Sequence, residues 1–510
     1  MPVQIAHGTR AAVVSGHPLA TQVAIDELRR SGNIVDAALA GAATLCVALP
    51  HACGLGGDCF ILVHHSGQTF ALNGSGLSPA RLPADASKAQ LASGPLSCAV
   101  PGMLGAWDSL HRKFGQRPWH ELLKPAVDLA HAGVEPATDL AKALVACRAG
   151  LDADDGCRAL FPNTLGDNRL IQPALASSLA EIAKSGSRAL YDGPLGESLC
   201  RASAARGGVL HMDDLRTYQP IWSEPLAIDY RGFEVRVCPP NSFGLLMLLQ
   251  LGALSGISLK GTGIESAERL HHMMAATSAA LQVGTPLICD PRVAGDGAAN
   301  ALSSDALKEL RALMTEVPET PSLPRSHGTA VISVADADGN GVTIVQSIFT
   351  PFGSMVADKN TGIVLNNRLL GFSTDPSSPN AAAPSKRPAH TLSPSMTFKD
   401  GRLKMLLSTP GGTGQTITLT QVLTNVVDFS LSIDQSVDRP RWSMDIDGNF
   451  VVEPEIADAT VEMLNASGFA VRKATPAQRF FFGSAECIDI APDRFTAVAD
   501  HRRDAFAAAI

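Results

Sequence analysis

A threonine that follows a glycine, where a polar segment turns into a strand, is the first place in this sequence to look for chemistry. In SLPRSHGTAVISVADADGNGV, residues 322–342, a proline-spotted stretch ends at Gly328, and Thr329 opens an alternating run of the kind that makes a β-strand. A threonine hydroxyl is a weak nucleophile and needs a base. If the chain is cut between Gly328 and Thr329, the new α-amine of Thr329 supplies that base on the same residue. An α-amine titrates near about 8 without tuning. The plainer reading of these residues is a linker running into an ordinary strand threonine. A second stretch, STPGGTGQTITLTQVL (residues 408–423), is a strand end, a double glycine and a helix start. Gly411 and Gly412 let the backbone approach a ligand, and their N–H groups could face a developing oxyanion. A strand-to-helix turn that requires positive φ is the alternative. The stretch lacks the GK[ST] ending of a phosphate loop, and the chain has no GxSxG elbow.

These residues need a scaffold. Asp338-Gly339-Asn340-Gly341 is a turn sequence between two alternating runs, TAVISVAD and GVTIVQSIF, so a hairpin is expected. Pairing Asp336 with Gly341 sets Thr329 opposite Ile348, with Ser347 and Thr350 nearby. SPSMTF and RLKMLLST read as further strands, and ITLTQVLTNVVDF as a helix. Near the start, residues 18–31 carry helical spacing closed by Gly32, and Val35–Val47 follows as a second helix. The glycine-rich turn PHACGLGGDCF then leads to strands FILVHH and TFALNG. Residues 100–320 read mostly helical, with a short strand at Phe233–Val237, and 315–328 is the linker-like stretch. Strands on both sides of helical blocks imply a mixed α/β layer sandwich.

The chain has 510 residues, 45% apolar, and a net charge of -8 with no basic patch, which argues against nucleic acid as a partner. Its longest apolar run, residues 37–50, is too short and too rich in small residues for a membrane span. MPVQIAHGTRAAVV has no signal-peptide pattern. Ten cysteines are scattered without a CxxC pair, as expected of buried thiols in a reduced cytoplasm. Cys53 and Cys59 with His51 come nearest to a metal cluster, but the glycines between them suggest a tight turn instead.

Taken together, the residues resemble the gamma-glutamyltransferase family of N-terminal nucleophile hydrolases along nearly the whole chain. SGHPLATQVAIDELRRSGNIVDAALA and PHACGLGGDCFILV look like its N-terminal signatures. TAVISVADADGNGV, FGSMV, TGIVLNN, SKRP, LSP, TPGG and ADHRRDAFAAA follow in the family's order and spacing. The resemblance implies a four-layer αββα sandwich built from two autocleaved subunits, residues 1–328 with the tail 315–328, and 329–510. It implies Thr329 as nucleophile, the Gly328–Thr329 bond as the autocleavage site, and Gly411 and Gly412 as the oxyanion pair. Ser347 falls where a threonine supports the nucleophile's amine, and Thr391 at the second of two serines near the substrate. No cofactor or metal is implied. The partners implied are a small-molecule amide and the two subunits themselves, with a dimer of such pairs left open, and no nucleic acid or membrane.

The departures concern the substrate pocket. Ser75 stands where the family binds glutamate with an arginine. Phe349 replaces an asparagine, Arg368 and Gly371 replace amide and acidic residues, and His390 replaces the first paired serine. An arginine beside such a pocket commonly forks onto a carboxylate. Arg368 with His390 would then favour an acid lacking an ammonium group, as in the oxamate amidohydrolase-like branch. A surface salt bridge for Arg368, a structural role for His390 and a core role for Phe349 remain the alternatives. The segment 373–388 is short and proline-rich where lidded relatives carry a longer loop, which would leave the site open. The expected activity is hydrolysis of an amide of a small carboxylate-bearing acyl group. A glutathione hydrolase with an atypical pocket and a non-catalytic binding homologue are the rivals.

Overall fold

The turn at Asp338-Gly339-Asn340 closes the hairpin that its residues announce. Asp336 Oδ1 accepts from the N–H groups of Asp338 and Asn340, both at 3.0 Å, and Gly339 takes φ 82°. The strands on either side are Gly328–Asp336 and Gly341–Phe349. The computed structural model describes residues 3–31, 33–315 and 328–510, so 316–327 of the expected linker lie outside the described residues.

The hairpin forms the middle of a seven-stranded sheet. On one side Ala11–Ser15 and Phe506–Ala509 extend it; on the other Asp58–His65, Gln68–Gly74 and Ile221–Ser223 do. A second seven-stranded sheet runs, in order, Gln4–Gly8, Arg494–Ala499, Glu486–Ala491, Arg402–Ser408, Ser395–Lys399, Phe233–Val237 and Leu226–Tyr230. Every pairing within these two sheets is antiparallel.

The facing sides of the sheets meet in one apolar layer, with Phe60, Leu62, Val331 and Val345 against Met396, Phe398, Leu406 and Ile488. Helices Pro18–Ser31 and Ile34–Ala48 cover the outer face of the first sheet. Ile34–Ala48 is buried at every position because its residues are small, and Asn33 caps it by accepting from Val35 and Asp36. Gly244–Leu254, Ala267–Gly284 and Gln415–Phe429 cover the outer face of the second. The result is the expected αββα sandwich. Both sheets take strands from before and after Gly328, so cutting there would not separate the two parts.

The register differs from the sequence-based one in an instructive way. Through the body of the hairpin Ala335, not Asp336, faces Gly341. Near the open end a bulge inserts one extra residue on the Gly341–Phe349 strand, between the pairs Ala330–Gln346 and Gly328–Phe349. The bulge restores the expected neighbours at the seam, with Ser347 and Ile348 set against the single residue Thr329. Among the described residues no helix is long and apolar enough to cross a membrane. All ten cysteines are free thiols.

Candidate active site

Four strand ends lie side by side at one edge of the first sheet. Thr329 lies against Ser347, Ser347 pairs with Asp58, and Cys59 pairs with Gly74 just before Ser75. With strands about 4.8 Å apart, Asp58 sits about 10 Å from Thr329, within reach of a small substrate.

Thr329 is 3% exposed, and its Oγ1 has no hydrogen-bond partner. A buried hydroxyl left unpaired costs free energy unless something is meant to meet it. The Gly328 carbonyl is held: Ser347 Oγ donates to Gly328 O and accepts from Phe349 N at 2.7 Å. The uncut chain thus gives Ser347 a different partner from the amine expected for it, because that amine is still part of a peptide bond. Space at Gly328 is tight: a Cβ there would meet Thr350 O at 3.0 Å and Phe349 O at 3.1 Å, so a side chain would need its neighbours to give. Thr350 lies close by, as expected, through its backbone carbonyl against Gly328, while its hydroxyl donates to Gly353 O at 3.2 Å and its N–H to Asn367 Oδ1 at 3.1 Å.

Gly411 takes φ 132° and Gly412 φ 59°, so both need the freedom of glycine. They precede the helix Gln415–Phe429, whose N-terminal end adds favourable potential for an anion. Gln415 ties this loop to the LSP segment by accepting from Ser393 N at 3.0 Å. Thr391 is 2% exposed and its Oγ1 is unpartnered.

Arg368 departs from the sequence reading. It is neither on the surface nor free to fork onto a substrate. It is fully buried and donates from Nε and Nη2 to Asp58, at 2.8 and 2.9 Å. Its guanidinium carbon lies 4.2 Å from the Phe349 ring centre. Phe349, itself fully buried with φ 83°, is therefore the floor under this cation and not a pocket wall. Nη1 of Arg368 is left without a partner.

His390 completes the cluster with Nε2 2.9 Å from Asp58 Oδ2. Its Nδ1 accepts from Leu392 N at 3.3 Å, so the proton of the neutral ring sits on Nε2, close to Asp58 but outside hydrogen-bond geometry. Burial, and then the Arg368 cation, pull this histidine down to about 4, against the pull of Asp58. Burial pushes the Asp58 carboxyl up, but Arg368 and His390 more than offset it, and it stays below the usual carboxylate range. Near neutral pH the cluster is one anion, one cation and one neutral ring. Its net charge is zero, so the cluster adds no free positive charge to the site.

The sign of the pH effect follows. His390 is about 6.5 when unfolded and about 4 when folded, so the unfolded chain takes up its proton first. Stability is therefore lost as pH falls from about 6.5 to about 4. The lowered Asp58 adds a further loss as pH falls through its folded value. Urea unfolding across this range should show that decline, and His390→Gln should make it shallower.

Ser75 is buried and held by Asn73 Oδ1, from its N–H at 2.9 Å and its hydroxyl at 2.6 Å. It presents no charge. Arg387 from the SKRP motif lies behind it, donating from Nε to Ser75 O at 3.1 Å and from Nη2 to Gln219 O at 2.9 Å. Asp58 and Arg387 are the site residues that spacing did not reveal. The one signal for Asp58 was a lone carboxylate opening an apolar strand. Gly57 next to it is obligatory, since a Cβ would lie 2.3 Å from Ser347 O. Asn366 locks the neighbouring turn by donating to Gly56 O at 2.7 Å and accepting from Arg368 N at 3.0 Å.

The suggested cluster of His51, Cys53 and Cys59 is dispersed. Cys53 Sγ faces Gln346 Nε2 at 3.4 Å, while Cys59 Sγ faces Met103 O at 4.0 Å. Among the described residues no group of three or more His, Cys, Asp or Glu is placed to hold a metal.

Two stacked antiparallel sheets with helices outside, and a strand-opening threonine at their edge, define the N-terminal nucleophile hydrolase class. The family model described as gamma-glutamyltranspeptidase matches residues 20–510, and the chain belongs to that family. It is 34% identical over 485 residues to the glutathione hydrolase-like YwrD proenzyme of Bacillus subtilis (strain 168), covering 91% of both chains. It is 32% identical to the oxamate amidohydrolase proenzyme of Klebsiella pneumoniae, covering 85% of both. Among solved structures, the cephalosporin acylase from Bacillus halodurans superposes with a TM-score of 0.90 at 30% identity, covering 99% of this chain and 97% of that one.

Proposed function

We propose that the chain is an autoprocessing N-terminal threonine amide hydrolase acting on an amide whose small acyl group carries a carboxylate. The observation that carries this reading is the buried, unpartnered Thr329 Oγ1 beside a Gly328 carbonyl already held by Ser347. Processing divides the chain into residues 1–328 and 329–510. Thr329 Oγ1 attacks the Gly328 carbonyl carbon, the C–N bond breaks and its nitrogen takes up a proton to become the α-amine of Thr329, and water hydrolyses the resulting ester to release the Gly328 carboxylate and return the Thr329 hydroxyl. The same hydroxyl then attacks the substrate carbonyl, and the amine takes its proton. Gly411 and Gly412 donate to the oxyanion, the amine leaves, and water resolves the acyl-enzyme.

Arg368 Nη1 and Thr391 Oγ1 support the acyl-group reading, because both are buried donors without partners. An ammonium group finds no acid at Gly371, and Asp58 is committed to Arg368 and His390. The relatives named as proenzymes of an amidohydrolase and of a glutathione hydrolase-like protein agree with amide chemistry. A γ-glutamyl substrate is the second reading. Arg387 favours it, as a buried guanidinium behind Ser75 with no carboxylate at ion-pair distance among the described residues.

Two chromogenic anilides that differ only in the ammonium group separate these readings. Glutaryl-p-nitroanilide should be cleaved at least ten-fold faster, as kcat/KM, than γ-glutamyl-p-nitroanilide. The reverse order would move the assignment to γ-glutamyl substrates, and inertness toward both would remove the small-carboxylate reading.

A further inference from the structure

Glu486 is fully buried and belongs to no step described so far. Its Oε1 accepts from Ser484 Oγ at 2.8 Å, while Oε2 has no partner. Among the described residues no cation lies at ion-pair distance from it. The groups that face it are Asp500, Arg503 and Arg441, and Asp500 is already paired with Arg441 at 2.6 Å. Burial first, and then the Asp500 charge, push the Glu486 carboxyl well above its ordinary range. An ionised carboxylate here would be buried and unpaired, so the group stands as a neutral acid.

Its surroundings are the underside of the glycine loop. Glu486 pairs with Ser408 across the sheet, and Ser408 Oγ donates to Glu486 O at 3.1 Å. Ser484, held by the Glu486 side chain, donates its N–H to Thr409 Oγ1 at 3.2 Å. Thr409 Oγ1 in turn donates to Pro410 O at 2.7 Å. Gly483 packs so closely that a Cβ on it would lie 2.6 Å from Pro410 O. Residues 483–486 therefore back residues 408–411 along their length.

We propose that Glu486 is a positioning residue for the oxyanion loop, fixing Gly411 and Gly412 through Ser484, Thr409 and Pro410. The inference rests on the reading of those glycines as oxyanion donors. It requires the acid in its neutral form, since ionisation would put a second buried, unpaired anion beside Asp500. The loop is then ordered at low and neutral pH and loosens as pH rises through the Glu486 transition.

Hydrogen exchange tests this in the uncut Thr329→Ala chain, where no activity is needed. Glu486→Ala in that chain should speed exchange of the 409–416 amides at least ten-fold while the hairpin 329–349 keeps its protection. Glu486→Gln should preserve the protection. The exchange rate of that segment with Glu486 present, divided by the rate in Glu486→Gln, should rise with pH, the intrinsic pH dependence cancelling. Unchanged protection in Glu486→Ala, or equal loosening everywhere, would overturn the proposal. If Glu486→Ala does not fold, a flat ratio against pH overturns it by itself. Failure of the hydrolase reading shows up separately, as an uncut wild-type chain.

Discussion

Thr329→Ala is expected to remain a single chain of 53.2 kDa, while the wild type is cut into chains of about 34 and 19 kDa, scaling mass by length. The smaller piece should begin at Thr329, read by intact mass and N-terminal sequencing. The effect is large because the hydroxyl is the atom that forms the new bond. The loss should be at least about 10³-fold in rate, the scale on which removal of a nucleophile acts. Ser347 and Gly328 remain in place in the variant, so a held carbonyl without the hydroxyl should not break. In the uncut chain the α-amine is tied up in the peptide bond, so the base used in turnover is absent during processing. Self-cleavage should accordingly be slower than catalysis by the cut enzyme. Thr329→Ser keeps a hydroxyl and should still be processed. If wild type and Thr329→Ala both stay whole, Gly328 ends a linker and nothing more, and the binding-homologue reading takes over.

How far the sequence reaches is visible in the same residues. Turn chemistry at Asp338-Gly339-Asn340 is local, so the hairpin and the seam at Thr329 could be read directly. The glycine pair was legible because its φ values leave almost no other choice of residue. Ala11–Ser15 was not, because a strand buried at all five positions has no alternation to show. Arg368 was legible as a charge near the site but not as a partner of Asp58, which lies 310 residues away. Spacing cannot pair residues that only the folded sheets bring together. The same holds for Glu486, an ordinary strand acid until its surroundings are seen. The register error of one residue, cancelled by a bulge, shows that agreement at one point of a hairpin does not certify the rest.

Asp58→Ala should cost about 3–5 kcal/mol of unfolding free energy, the range for removing one partner of a buried ion pair. Urea unfolding of the uncut Thr329→Ala chain measures it without interference from subunit separation. The direction of the comparison matters more than the size. Arg368 cannot shed its proton, so without Asp58 it is left as a buried, unpaired cation with no partner for any of its donor nitrogens. Asp58 can take up a proton when Arg368 is removed, and His390 still lies 2.9 Å from it. Arg368→Met should therefore cost less than Asp58→Ala, although both delete the same salt bridge. The double variant should recover part of the loss, because no buried charge is then stranded. Self-cleavage adds a second reading of the same pair in the chain that keeps Thr329. Arg368 lies over Phe349, and Phe349 N is the donor that fixes Ser347 Oγ against Gly328 O. Releasing the guanidinium should disturb that donor and slow processing in proportion to the stability lost. If Arg368→Met proves the more damaging change, the cluster is not held together by its charges.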